Sequence, residues 1–266
     1  MSTATLASSV VPDYGIDAPG VRRVFFMLAA AGAGALAGAT VLLPAGSTLQ
    51  TVFCAVGSIA VVYGAGMGSY MTWGSRVGKL RTRERILDRV ATLLPSESWS
   101  GRETVLDVGC GRGLMLIGAA HRLTTGTVIG VDLWREADQL GNSPDATREN
   151  ARGEGVLDRI CVETANALAL PLGDRSVDVV VSHWVVHNLD TPEERARALD
   201  EMWRVLRPGG VLALADIAGV PDYAEHLAGL GASDVAVDYG GWEARIMGTL
   251  SGGSYRPQSL VARRRP

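Results

Sequence analysis

Thr104-Val105-Leu106-Asp107-Val108-Gly109-Cys110-Gly111-Arg112-Gly113 is an apolar run of strand type that opens into a glycine-rich turn. The residues that follow, Leu114 to Leu123, are apolar at helical density. A strand, a glycine turn and a helix in that order let a ligand approach the backbone closely, with the first amides of the helix facing it. Dinucleotide sites use the same element order with the spacing GxGxxG, but here Leu114 occupies the place of the third glycine. Downstream, short β-type runs alternate with helical stretches: strands are expected at 127–132, 160–164, 177–182 and 211–217. That alternation predicts an α/β fold built on a seven-stranded, mostly parallel sheet with helices on both faces.

The clearest helix lies between the fourth and fifth of these strands. Thr191-Pro192-Glu193-Glu194 supplies an N-cap, a proline at the first helical position and a capping-box acid. Leu199, Met202, Trp203 and Leu206 then share one face, and Pro208-Gly209-Gly210 ends the run. A helix at 221–230, strands at 234–239 and 258–263, and an irregular stretch from Gly240 to Pro257 complete the expected order. Asp132 ends the second strand, where a carboxylate can accept both hydroxyls of a ribose beyond the carboxyl edge of the sheet.

Five segments in order, DVGCGRG, GVDLW, ANALALPL, SVDVVVSHWVVHNL and RVLRPGGVLALADI, make the chain from about Lys79 to Arg264 resemble a class I S-adenosylmethionine (SAM)-dependent methyltransferase of a membrane-anchored bacterial type. The resemblance implies a Rossmann-like sheet and SAM as cofactor. It puts Asp107, Gly109, Cys110 and Gly111 around the methionine portion, Asp132 on the ribose, and Leu133 and Trp134 beside the adenine. Asn166, with Ala167, falls where such enzymes commonly carry an aspartate toward the adenine amino group, and an amide oxygen can accept the same bond. Ser182 closes the implied cofactor set. No metal ligand is implied. His187 and His183, just past the fourth strand, are the candidate bases for an oxygen or nitrogen nucleophile, since imidazole titrates near neutrality. Trp134 to Asn150 and Gly240 to Pro257 are the stretches able to shape specificity.

The rest of the chain is read from charge. Between Arg23 and Arg76 there is no charged residue, and Val24–Leu43 and Thr51–Trp73 are each long enough to cross a bilayer. The polar link 44–50 is short, so residues 21–75 are expected to form an antiparallel two-helix transmembrane hairpin, packed through Gly34/Gly38 and Gly64/Gly68. Arg22 and Arg23 before it, with Arg76, Lys79, Arg81, Arg83 and Arg85 after it, put both ends and the catalytic domain in the cytoplasm. A buried helical subdomain and an export signal around Arg22-Arg23 are the competing readings. The expected organisation is a flexible tail at 1–20, the hairpin at 21–75, a linker helix at 76–100 and the methyltransferase domain at 101–266.

Three dispersed cysteines exclude a disulfide framework or a CxxC metal site, and a net charge of −3 offers no footprint for nucleic acid. The expected partners are the bilayer and a small lipophilic or membrane-resident acceptor, which tethering would concentrate around the enzyme; the apolar helices leave room for a homo-oligomer. A SAM-binding regulatory or scaffold protein without turnover is the alternative reading.

Overall fold

The computed structural model describes residues 12–136, 139–253 and 255–266. It divides into two units: residues 15–79 with 136–141 form one, and residues up to 14, 80–135 and 142–266 form the other. The chain thus belongs to the larger unit at Tyr14, leaves it for the smaller, and returns.

In the smaller unit, helix α1 (Pro19–Leu42) lies against α2 (Thr48–Trp73), followed by a π-helical turn at Gly74–Gly78. Ser47 caps α2 by accepting from the Gln50 amide at 3.2 Å. Both helices are long and apolar enough to cross a membrane. Their mutual face is made of small residues. A Cβ at Gly32 would stand 2.7 Å from the Gly57 carbonyl oxygen, and one at Gly64 would stand 2.5 Å from that of Phe25. Phe25 and Tyr63 meet edge-on beside this seam, at 5.7 Å. Of the glycines expected there, Gly64 and Gly68 take part, whereas Gly34 and Gly38 have no neighbour within 4 Å. Gly32 carries the α1 side instead, because two residues along a helix is more than half a turn around it. Lys79 also departs from expectation: its ammonium is buried, donating to Asp17 Oδ2 at 3.1 Å and the Gly15 carbonyl at 2.8 Å, so it is no free flanking charge.

The larger unit begins with α3 (Lys79–Leu93, counted from Leu80), then β1 (Thr104–Val108), α4 (Leu114–Ala120), β2 (Thr127–Asp132), α5 (Pro144–Gly153), β3 (Ile160–Thr164) and β4 (Val177–His183). It continues with α6 (Pro192–Val205), β5 (Leu206–Asp216), α7 (Val220–Gly229), β6 (Ala232–Asp238), α8 (Trp242–Leu250) and β7 (Gln258–Arg264). The seven strands form one sheet in the order β3-β2-β1-β4-β5-β7-β6, with only β7 antiparallel to its neighbours.

Alternation along the strands divides the core. Val105, Val179, Val181, Val211 and Ala213 face α3 and α4 residues such as Leu87 and Ile117, while Leu106, Val180, Leu212 and Leu214 face α6 and α7 residues such as Met202 and Leu227. Strands covered on both faces read as unbroken apolar runs, which is why these segments were legible. The capping box forms on α6 as the residues dictate. The stretch 240–257, expected to be irregular, contains α8, whose Ala244 and Met247 are buried. Tyr14, expected in a flexible tail, is packed: it is 8% exposed and belongs to the core with Leu87 and Ile117, while the exposed Asp13 beside it is held by hydrogen bonds. Residues 1–11 of that tail lie outside the described residues.

Candidate active site

β1 pairs with β2 on one side and β4 on the other, so the strand order reverses there and a crevice opens beyond the strands' carboxyl ends. The glycine turn leaves β1 at that point. Gly109, Gly111 and Gly113 have φ of +71°, +50° and +90°, the left-handed region that a Cβ disfavours. The Gly109 and Cys110 amides both donate to the Val131 carbonyl, at 2.7 and 3.1 Å, and the Gly111 amide donates to Asp132 Oδ2 at 2.8 Å. The turn is therefore fastened to the end of β2. A Cβ at Gly109 would lie 2.2 Å from Val185 Cγ2, so the loop after β4 closes directly over the turn.

Asp107 is fully buried at the floor. Its Oδ2 accepts from the Leu116 amide at 2.8 Å, and its Oδ1 has no hydrogen-bond partner among the described residues. Burial, reinforced by the nearby Asp132 charge, pushes its pKa up to about 8 despite the Leu116 bond. Asp132 is oriented through Oδ1 by the Trp134 amide at 2.6 Å and Asn142 Nδ2 at 3.2 Å. Three donors leave part of its acceptor capacity open for hydroxyls.

The other sequence-predicted cofactor residues fall around this crevice with differing commitments. The Cys110 thiol is buried against Gly130, and burial raises its pKa well above the usual thiol range, so it fills space rather than reacting. Leu133 is exposed; Trp134 takes φ +59° and donates Nε1 to Thr164 Oγ1 at 2.8 Å. The Ser182 hydroxyl is spent on the Val108 carbonyl, at 2.8 Å, so any ligand contact there falls to its backbone. Asn166 is exposed, with Oδ1 holding the Leu168 amide at 3.0 Å in an Asx turn and one lone pair to spare; Ala167 packs against the core.

Beyond β4 the two histidines part company. His183 stacks on Trp184, whose φ is +60° and whose ring meets Tyr255 edge-on. Non-glycine residues held in the left-handed region follow both β2 and β4, and such strain gathers at sites that place side chains for a purpose. His187 lies on a short 3-10 turn (Val186–Asn188) and faces Asp216, the last residue of β5. Asp216 is fully buried. Its Oδ2 accepts from the His187 amide at 3.0 Å, its Oδ1 accepts from the Ile217 amide at 2.8 Å, and the same Oδ1 binds His187 Nδ1 in a short hydrogen bond. A carboxylate on Nδ1 assigns the proton to that nitrogen and leaves Nε2 as the basic one. The side chain keeps 22% of its surface exposed, enough to be reached.

Asp216 was not singled out in the sequence, although a lone acid ending the run Val211-Leu212-Ala213-Leu214-Ala215 signals a buried carboxylate that requires a donor. Thr147 and Asn150 were missed as well. They project from α5 to hold the Gly111 and Arg112 carbonyls, at 2.6 and 2.9 Å, and nothing in a helix of polar residues marks which ones turn inward.

Residues 106–214 match the family model of a methyltransferase domain. The match runs from β1 through most of β5, the part of the sheet that carries the glycine turn. The chain is 39% identical over 118 residues to Methyltransferase GfsG of Streptomyces halstedii, covering 44% of this chain and 39% of that protein. It is 34% identical over 140 residues to the 27-O-demethylrifamycin SV methyltransferase of Amycolatopsis mediterranei, covering 52% and 46%. The chain thus spans about half or less of the length of these curated relatives. A solved structure of geranyl diphosphate C-methyltransferase from Streptomyces coelicolor A3(2), with Mg2+, geranyl diphosphate and S-adenosyl-L-homocysteine, superimposes with a TM-score of 0.53 at 17% identity, covering 69% of this chain and 78% of that one. At that identity the likeness speaks for the fold.

The crevice suits the cofactor of such domains. A buried carboxylate oxygen without a donor, a turn that leaves no room for a Cβ and a second carboxylate with open lone pairs ask for a ligand bearing a cationic amine and vicinal hydroxyls. SAM has both.

Proposed function

We propose that this protein is a membrane-anchored methyltransferase that transfers the methyl group of SAM to an oxygen or nitrogen of a small lipophilic or membrane-resident acceptor, with His187 as its base. The observation that carries the reading is the His187–Asp216 pair beside the glycine turn. SAM, when bound, supplies an electrophilic methyl on a sulfonium and the leaving group. Asp107 would meet its amino group with Oδ1, the glycine turn would let its methionine portion approach the backbone closely, and Asp132 would take the ribose hydroxyls; Leu133, Trp134, Asn166 and Ala167 would border the adenine side. The loop after β4 excludes water above the turn, since Val185 covers Gly109. His187 Nε2 takes the proton from the acceptor as its nucleophile approaches the methyl, and Asp216 stabilises the imidazolium that forms. His183, stacked on Trp184, shapes the cleft rather than moving a proton.

The membrane part of the reading rests on the smaller unit. Its buried positions are chiefly glycine and alanine, whereas Val24, Met27, Val41, Val56, Ile59 and Val62 face outward. A water-soluble helix pair buries its large apolar side chains, whereas helices in lipid pack through small residues and expose the large ones. Arg22, Arg23, Arg76, Arg81 and Arg85 near its ends favour a cytoplasmic placement of the catalytic unit. A lipophilic acceptor also accords with the relatives, one named for a demethylrifamycin and one solved with geranyl diphosphate.

The test is label transfer from methyl-tritiated SAM to a lipid extract by the full-length protein in vesicles. Wild type is expected to label an extractable product and His187→Ala to bind SAM without labelling it. Binding without transfer by the wild type would refute the enzyme reading and favour a SAM-binding regulatory protein.

A further inference from the structure

The glycine turn is held from three directions, and one of them is the segment that precedes the first apolar helix. Asn150, on α5, uses its side chain as a piece of backbone would: Oδ1 accepts from the Asp13 amide at 3.0 Å, and Nδ2 donates to the Asp13 carbonyl at 2.9 Å. The same Nδ2 also donates to the Arg112 carbonyl at 2.9 Å, within the turn. Arg112 returns the contact, donating Nε to the Asp13 carbonyl at 2.6 Å and Nη2 to Asp13 Oδ2 at 3.1 Å. Backbone and side chain of Asp13 are thus tied to the residue that directly follows Gly111.

The next residue fixes this contact in place. Tyr14 is buried in the core, its hydroxyl donates to Glu154 Oε1 at 3.0 Å, and the Arg83 guanidinium lies 5.8 Å over its ring. Burial, followed by the Glu154 charge, raises the pKa of that hydroxyl, so it stays a neutral donor. An aromatic ring sunk into the core would be costly to withdraw, and it sets where Asp13 can reach.

We propose that Asp13 and Tyr14 are positioning residues for the cofactor turn: a strap from ahead of the apolar helices that holds Arg112, and through it Gly111, in the conformation that receives the amino-acid end of SAM. The inference rests on the reading that this turn faces the methionine portion. A strap acting there affects ligands that carry the amino acid and spares those that lack it, whereas a general loosening of the domain weakens both alike.

That difference is measurable by calorimetry on the full-length protein in detergent, with SAM and 5′-methylthioadenosine as the two probes. Tyr14→Ala is expected to raise the Kd for SAM about fivefold, on the scale of one hydrogen-bonded contact, and to change that for 5′-methylthioadenosine less than twofold. Asp13→Ala, at a side chain whose loss leaves the core intact, is expected to raise the Kd for SAM about threefold with the same split, and Asp13→Asn, which keeps an acceptor for Arg112, to recover most of it. Equal weakening of both probes, or no weakening of SAM in Asp13→Ala, overturns the proposal. Wild-type protein that binds the two probes equally well would instead overturn the placement of the methionine portion, and the strap's role with it.

Discussion

Binding of SAM should expel a proton from Asp107. In the free protein this carboxyl has a pKa of about 8 because it is buried and near Asp132, so at pH 7 it is about nine-tenths protonated. An ammonium group placed at its unpartnered oxygen would draw it back toward the ordinary range near 4, releasing about 0.9 proton per SAM at pH 7. The apparent affinity then rises with pH, by about 25-fold between pH 6.0 and 7.5, less an offset of under about twofold from the onset of titration of the ligand's own amine. Stability of the free protein runs the other way. An acid whose folded pKa lies above its unfolded value binds more protons when folded, so stability is lost as pH climbs from about 4 to about 8 and levels off above that. Calorimetry at pH 7 in two buffers of different ionisation enthalpy reads the proton directly. A binding enthalpy independent of buffer, together with a Kd flat from pH 6.0 to 7.5, would refute the reasoning, and Asp107→Asn should abolish both effects if it is sound.

Other substitutions test the remaining parts of the site and the helix pair. Gly109→Ala puts a methyl 2.2 Å from Val185 at φ +71°, and should cost about 1–2 kcal/mol from the backbone alone and weaken SAM more than tenfold; thermal melts and calorimetry read the two effects. His187→Ala and Asp216→Asn should each lower label transfer about 100-fold or more with SAM affinity within about twofold, and the double variant should be little worse than His187→Ala, because a base and its orienting acid act as one unit. Additive losses would argue against the pair. Gly64→Leu should disrupt the helix pair, whose backbone oxygen at Phe25 stands 2.5 Å from the new Cβ, whereas Gly34→Leu, with nothing within 4 Å, should leave the detergent melting temperature unchanged.

Much of this molecule was legible from local pattern. The strand, glycine turn and helix at 104–123 form with the bounds their residues suggest, give or take a turn, because β-type runs and left-handed glycines are properties of the segment itself. The same holds for the capping box at Thr191 and the apolar lengths of α1 and α2. Local pattern was a poorer guide wherever the deciding partner lies far along the chain. Asp216 becomes a partner for His187 only because β5 lies beside β4, so the acid and the imidazole arrive 29 positions apart at one edge of the sheet. Gly32 rather than Gly34 meets α2 because the seam follows the rotation of the two helices, and Lys79 is buried because Asp17 reaches it across 62 positions. Asp13 and Tyr14 sit in a polar, aperiodic stretch, and their docking on Asn150 and Glu154 spans 137 and 140 positions. The sequence by itself determined which segments become strands, helices and glycine turn, since those follow from propensity and hydrophobic period over a few residues. Only the tertiary structure decided which side chains share a proton or a hydrogen bond, because burial and partnership depend on elements brought together by the sheet order.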